Sequence, residues 1–382
     1  MGTDLTSSIV LITFATFCLG WWISSFYLPK CSGFVVALIK ALIPFAYFSW
    51  FDDKTWRLLD DVSYAKQGTS LLKYGWNPFT ILFSHDGLSL LFAISQSTHI
   101  LYGWWNFLAQ YLFGPHYYSA VFMNVVLTFV TGLAFDRILK RLDFSQTYRK
   151  WFCIFLLLNV SILAWSSFLN LKDIFVMTLT SISLLFSLQI IQTKRLMYIL
   201  FLALACFVFG FIRFYVPLLI LAAFLAYQLL NLNSKIILLV VGAAGAAGYY
   251  IKRHLANFNI VRPSHMLFGW VRTVLTPQPW AIDPAYTFLL LPSIFNWLFF
   301  IPSFFSAYVL WKRSKFSRFL ILYALVVITI YAMVPELQGP RHRIQILPII
   351  IWFQFHFIWW LLPHRLENNI PSSDLMLEVS ET

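Results

Sequence analysis

The stretch HYYSAVFMNVVLTFVTGLAFDRILKRL, residues 116–142, decides the class of fold. From His116 to Phe135 it holds no ionised side chain. At about 1.5 Å of rise per residue, a helix of that length crosses a hydrocarbon layer of about 30 Å. The run stops at Asp136 and the basic segment Arg137 to Leu142, as a span does where it meets charged headgroups. Apolar runs of this kind recur from end to end. Candidate spans are 7–27, 33–51, 116–136, 151–169, 173–192, 197–213, 214–231, 236–250, 286–311, 319–334 and 345–362. The expected fold is an all-α integral membrane protein of about eleven transmembrane helices, one polytopic domain over residues 1–363.

Composition agrees. Of 382 residues, 60% are hydrophobic and 11% charged. Soluble domains carry roughly a quarter charged residues, and 11% cannot supply a polar skin. Aromatics reach 19%, and Trp21, Trp22, Trp50, Trp104, Trp105, Trp359 and Trp360 fall near the ends of apolar runs, as interfacial belts do. The net charge of +12 does not point to nucleic acid, because Lys and Arg sit in short clusters between spans, where they mark cytoplasmic loops and hold lipid phosphates. Cys18, Cys31, Cys153 and Cys206 form no CxxC and read as buried thiols. The first run, Ser7 to Tyr27, has no basic flank and no small-residue cleavage site, so it reads as a retained helix.

The basic clusters set the orientation. Arg137, Lys140, Arg141, Arg149 and Lys150 fill one loop, Lys194 and Arg195 a second, and Lys312, Arg313, Lys315 and Arg318 a third. All three are expected in the cytoplasm. With the N-terminus outside, residues 52–115, 251–285 and 335–343 then form outer loops. Lys252, Arg253, Arg262 and Arg272 make the second of these basic as well, which is read as serving a ligand. Residues 88–112 are apolar but interrupted by Ser, Gln, Thr, His and Asn, and a further span here would invert everything downstream. Helix lying in the interface is expected instead. The polar tail, 364–382, is expected to be disordered and cytoplasmic.

Charge at membrane depth is costly and marks the candidate site. Asp52, Asp53, Asp60 and Asp61 cluster just beyond the second span. An acidic pair opening a helix has a plain structural explanation, as partner of the helix dipole. Asn170-Leu171-Lys172-Asp173 lies on the same expected face, where the Lys-Asp pair could simply neutralise itself. Arg213 interrupts the apolar stretch FGFIRFYVPLL, residues 209–219. Finally, Arg341, His342 and Arg343 sit in a basic loop entering the last span, with Pro348 one turn inside; they suit either an interfacial anchor or bidentate phosphate binding.

The stretch DDVSYAKQGTSLLKYGW, residues 60–76, resembles the first extracytoplasmic loop of GT-C glycosyltransferases, polytopic enzymes that use polyprenyl-phosphate sugars, such as the dolichyl-phosphate-mannose mannosyltransferases and aminoarabinose transferases. The likeness continues through a juxtamembrane helix, Leu112 to Gly114, and the span closed by Arg137 to Leu142. Asp61 stands where Glu is commoner, and His85-Asp86-Gly87-Leu88 replaces an expected Lys-Pro-Pro-Leu element. The resemblance implies Asp60 as catalytic base and Asp61 and Asp173 as supporting acids. It also implies Lys172, Arg213, Arg341 and Arg343 as phosphate contacts, with His85, Asp86 and His342 as secondary candidates. Expected partners are a polyprenyl-phosphate-linked sugar donor, a lipid, glycan or protein acceptor, and membrane lipids. No cofactor is fixed; a divalent cation stays open. The short chain, without a large lumenal domain, points to a bacterial inner membrane.

The residue types fit inverting transfer. A carboxylate in a partly desolvated pocket accepts the acceptor's proton, while cationic groups stabilise the leaving phosphate. A transporter or flippase for lipid-linked sugars, and a polysaccharide polymerase with Arg-rich outer loops, are the competing readings.

Overall fold

The computed structural model describes residues 2–95, 99–230 and 266–362. Among these the architecture is helical throughout, with one isolated bridge between Gln278 and Ala281. Six helical stretches are long and apolar enough to cross a membrane, or eight when each of two bent pairs counts as one span. Several helices of this length and apolarity mark a multi-pass membrane protein.

The helices are α1 (Gly2–Ser24), α2 (Lys30–Ala46, prolonged by a wider turn over Tyr47–Phe51), α3 (Leu59–Lys73), α4 (His85–Ser95), α5 (Ile100–Phe113), α6 (Tyr118–Arg141), α7 (Gln146–Leu158) and α8 (Val160–Ser167). They continue with α9 (Asp173–Thr193), α10 (Leu196–Gly210), α11 (Val216–Leu230), α12 (Met266–Leu275), α13 (Leu290–Leu298), α14 (Phe300–Arg313), α15 (Lys315–Met333) and α16 (Leu347–Leu361).

The polarity of the bundle is inverted relative to a water-soluble protein. Phe14, Leu200, Leu204, Phe207, Leu218 and Leu221 are exposed, while Ser119, Asn124, Thr128, Thr180, Ser183 and Ser187 are buried between helices. In hydrocarbon an apolar skin costs nothing, and small polar residues let helices approach and bond across. Thr131 and Thr178 do this between α6 and α9, with hydroxyls 2.9 Å apart.

Two expected spans bend. The span expected over 151–169 is α7 and α8, meeting at 46°. Asn159 ends one helix and restarts the next by accepting a bond from the Ser161 amide at 2.9 Å. The buried Lys40 donates to the Leu157 carbonyl at 3.1 Å, supplying one partner the break removed. The span expected over 286–311 bends by 56° between Leu298 and Phe300, where Pro302 cannot donate to the carbonyl four residues back. Two more, α10 and α11, have 15 residues each, about 22 Å of helix, short of a full crossing. The expected span 236–250 lies outside the described residues, as do Lys252, Arg253, Arg262 and the tail; Arg272 is exposed on α12.

The basic loops gather at one end of the bundle. The Gln192 amide donates to the Arg141 carbonyl at 3.0 Å, Arg149 pairs with Asp136 at 3.1 Å, and the Arg313 guanidinium lies 4.1 Å from the Phe144 ring centre. The opposite end carries α3, α4 and α5. Residues 88–112, read as interfacial helix, fold as two helices of 11 and 14 residues, both too short to span. Their polar interruptions have a purpose. Gln110 bonds the Ala65 carbonyl at 2.9 Å and accepts from Thr69 at 3.0 Å, anchoring α5 to α3.

Candidate functional site

Asp60 and Asp61 open α3 in its first turn, where the helix dipole favours negative charge. Neighbours on a helix point about 100° apart, and these two separate completely. The Asp61 side chain is fully buried, and Tyr117 donates to its Oδ2 at 2.6 Å. The same hydroxyl accepts from the Asn170 backbone amide at 3.2 Å. Burial raises the Asp61 pKa, and the Tyr117 bond opposes that shift. Asp61 Oδ1 has no bonding partner among the described residues. The Asp60 side chain is 52% exposed and turns the other way.

Asp60 belongs to an alternating row of charges. Arg341 donates from Nη1 to Asp60 Oδ2 at 2.9 Å and from Nε to Asp173 Oδ2 at 3.3 Å. The second oxygen of Asp173 takes the Arg213 guanidinium at 2.6 Å. Four segments separated by up to 281 residues thus meet in one chain, Asp60–Arg341–Asp173–Arg213. Asp173 and Arg213 are buried and Arg341 is partly so, so the pairing offsets a desolvation cost that single charges could not bear.

Lys172 stands beside this row. Its side chain is buried and its amine lies 5.7 Å from the Tyr64 ring centre. Burial, then the Arg213 charge, lower its pKa to about 7. His342 borders the row, with its ring 5.8 Å from that of Tyr331 and its Nδ1 without a partner among the described residues.

An open cleft of about 410 Å³ leads to Asp60. Tyr64, Lys66, Gln67, Ser70, Ser95 and His99 contribute to its walls. His99 Nδ1 is 2.8 Å from the Ile212 carbonyl, and burial, then Lys172, lower its pKa to about 4, so the imidazole is neutral at pH 7. Serine hydroxyls, the Gln67 amide and the Lys66 amine make this lining mostly polar.

Three expected site residues lie elsewhere. Arg343 is buried and donates to the Val274 carbonyl, tying the last helix to α12. It follows Arg341 by two positions, which the tight turn His342–Ile346 swings to a different side. His85 and Asp86 are exposed and face each other at 3.6 Å, outside the row of charges. Among the described residues no three His, Cys, Asp or Glu side chains gather as a metal site; the position between Asp60 and Asp173 is filled by the Arg341 guanidinium.

Of a second network beneath the row, the sequence reading marks only Asn170. Asn170 accepts from the Tyr102 hydroxyl at 2.8 Å and donates to Asn106 at 2.5 Å. Asn124 donates to Tyr102 at 2.9 Å and to the Leu171 carbonyl at 3.2 Å. These bonds fix the backbone that carries Lys172 and Asp173. Polar residues inside apolar runs were their only signal. No family model, curated protein or solved structure matches the chain.

Proposed function

We propose that the chain is a membrane glycosyltransferase of GT-C type, moving a sugar from a polyprenyl-phosphate donor to a lipid, glycan or protein acceptor. One observation carries this reading: Asp60, Lys172, Asp173, Arg213 and Arg341 converge at the end of the bundle opposite the basic loops, beside a polar cleft. A donor would keep its isoprenoid tail in hydrocarbon and present its phosphate to Lys172 and Arg341.

The pairing gives a sequence of events. Arg341 holds Asp60 as an ion pair, which keeps its Oδ2 occupied. A donor phosphate competes for the guanidinium and releases Asp60. The acceptor hydroxyl then gives its proton to Asp60 as its oxygen bonds the anomeric carbon. The carbon–phosphate-oxygen bond breaks, and its electron pair leaves on the phosphate, where Lys172 and Arg341 stabilise it. Single displacement inverts the anomeric centre, by analogy with inverting glycosidases. NMR of the product anomer tests this step, and retention rules it out. In this reading the chain has eleven spans, and the cleft opens to the outer face of a bacterial inner membrane.

Purified protein given a panel of polyprenyl-phosphate sugars tests the whole reading. With one of them the wild type transfers sugar, and Asp60→Asn lowers turnover by about 10²–10⁴-fold. Transfer undiminished in Asp60→Asn, or transport that survives while transfer is absent throughout, sinks it in favour of a flippase.

A further inference from the structure

At the basic end of the bundle lies a second cavity, of about 440 Å³, far from the row of charges at the other end. The turn between α1 and α2, the last turns of α6 and the first turn of α7 enclose it, and Arg137, Lys140, Arg149 and Lys150 line it with Asp136. Four cations thus face one carboxylate. Both oxygens of Asp136 are engaged, by Arg149 at 3.1 Å and by Arg137 at 3.9 Å. That leaves an excess of positive charge that nothing in the cavity neutralises. Arg149 Nε is buried without a partner among the described residues, a donor left unsatisfied at a cost. Gln146 and Thr147, also in the lining, begin the 13-residue helix α7, whose N-terminal dipole adds to the positive field.

The rim identifies the ligand's other half. Trp22 and Phe26, exposed by 61% and 53%, stack edge to face at 5.4 Å on α1 and the turn that follows. Trp151 is exposed beside Lys150, whose amine lies 5.4 Å from its ring centre. Aromatic side chains with cations beside them hold the zone where acyl chains meet headgroups. The geometry points to a binding site for the phosphate headgroup of an anionic phospholipid, with its acyl chains along the apolar outer surface. Asp136 in this site orients the two arginines, and Lys140 and Lys150 supply the attraction. A basic pocket between helices at the positively charged side of a membrane protein is the setting in which such headgroups bind.

Native mass spectrometry of the full chain from nanodiscs measures the retained lipid. Phosphatidylglycerol is expected to be held in preference to phosphatidylcholine. Lys140→Gln with Lys150→Gln is expected to weaken that retention about thirtyfold, two near-surface charges of about fivefold each. Both lysines reach the surface, and an unchanged thermal midpoint in phosphatidylcholine shows that the variant folds. Lys312→Gln with Lys315→Gln, at the same end but outside the cavity, is expected to retain the lipid. Equal retention of the two lipids, or equal loss in the control pair, overturns the site. Free glycerol phosphate that binds as tightly as the lipid overturns the lipid assignment in favour of a soluble phosphate.

Discussion

The two ends of the bundle use the same side chains to opposite effect. At the cleft end the charges are paired around a buried carboxylate: Arg213 and Arg341 share Asp173, and Arg341 reaches on to the half-exposed Asp60. At the basic end, cations outnumber carboxylates, and Arg137 and Lys140 lie exposed. Charge buried at depth must be paired, so its geometry is fixed and costly to disturb. Charge at a wet headgroup layer needs no protein partner, so it is numerous, loosely placed and cheap to change.

That contrast breaks most sharply at Asp173. Asp173→Asn leaves the buried Arg213 without a carboxylate and Arg341 with Asp60 alone, and a loss of about 3–5 kcal/mol in unfolding free energy is expected in detergent. A loss below about 1 kcal/mol would mean that the row of charges is not structural. Next comes Tyr117→Phe, which leaves Asp61 Oδ2 buried and unbonded. It should cost about 1–3 kcal/mol by the same measurement, and a neutral result would remove Tyr117 from the site.

Lys172 sharpens the comparison through pH. Its pKa is lowered to about 7 by burial, so it is cationic below pH 7 and neutral above. Donor affinity should therefore weaken as pH rises through about 7, and Lys172→Met should abolish that step while leaving a flat, weaker profile. A profile identical to wild type would show that Lys172 does not meet the phosphate. The smallest effect belongs to the other end: Lys140→Gln should move stability by no more than about 0.5 kcal/mol. A larger shift there would erase the distinction between the ends.

Much of the fold was legible because lipid imposes a simple rule. A run of about 20 apolar residues spans, and Arg and Lys mark the side they end on. The expected spans at 7–27, 33–51, 116–136, 173–192, 319–334 and 345–362 correspond to helices of spanning length, and the three basic loops do gather. The bends at Asn159 and near Pro302 were missed, because hydropathy reports how far a segment is from water and not whether its backbone bonds are continuous. The site was legible in part for a related reason. Asp60, Lys172, Asp173, Arg213 and Arg341 stood out as charges beside apolar runs, whereas Asn106, Asn124 and Tyr102 carry no formal charge and look like ordinary helix residues.

Sequence alone determined the apolar character of these helices and the breaks between them where the basic clusters fall, since both follow from summed transfer free energies of local segments. Which charges touch was settled only by packing. Asp60 and Asp61 are adjacent and chemically identical, yet one reaches a cleft and the other is sealed under Tyr117; Arg341 and Arg343 part in the same way. A helix or tight turn rotates neighbours to different surroundings, and only the elements packed around them decide which surroundings those are.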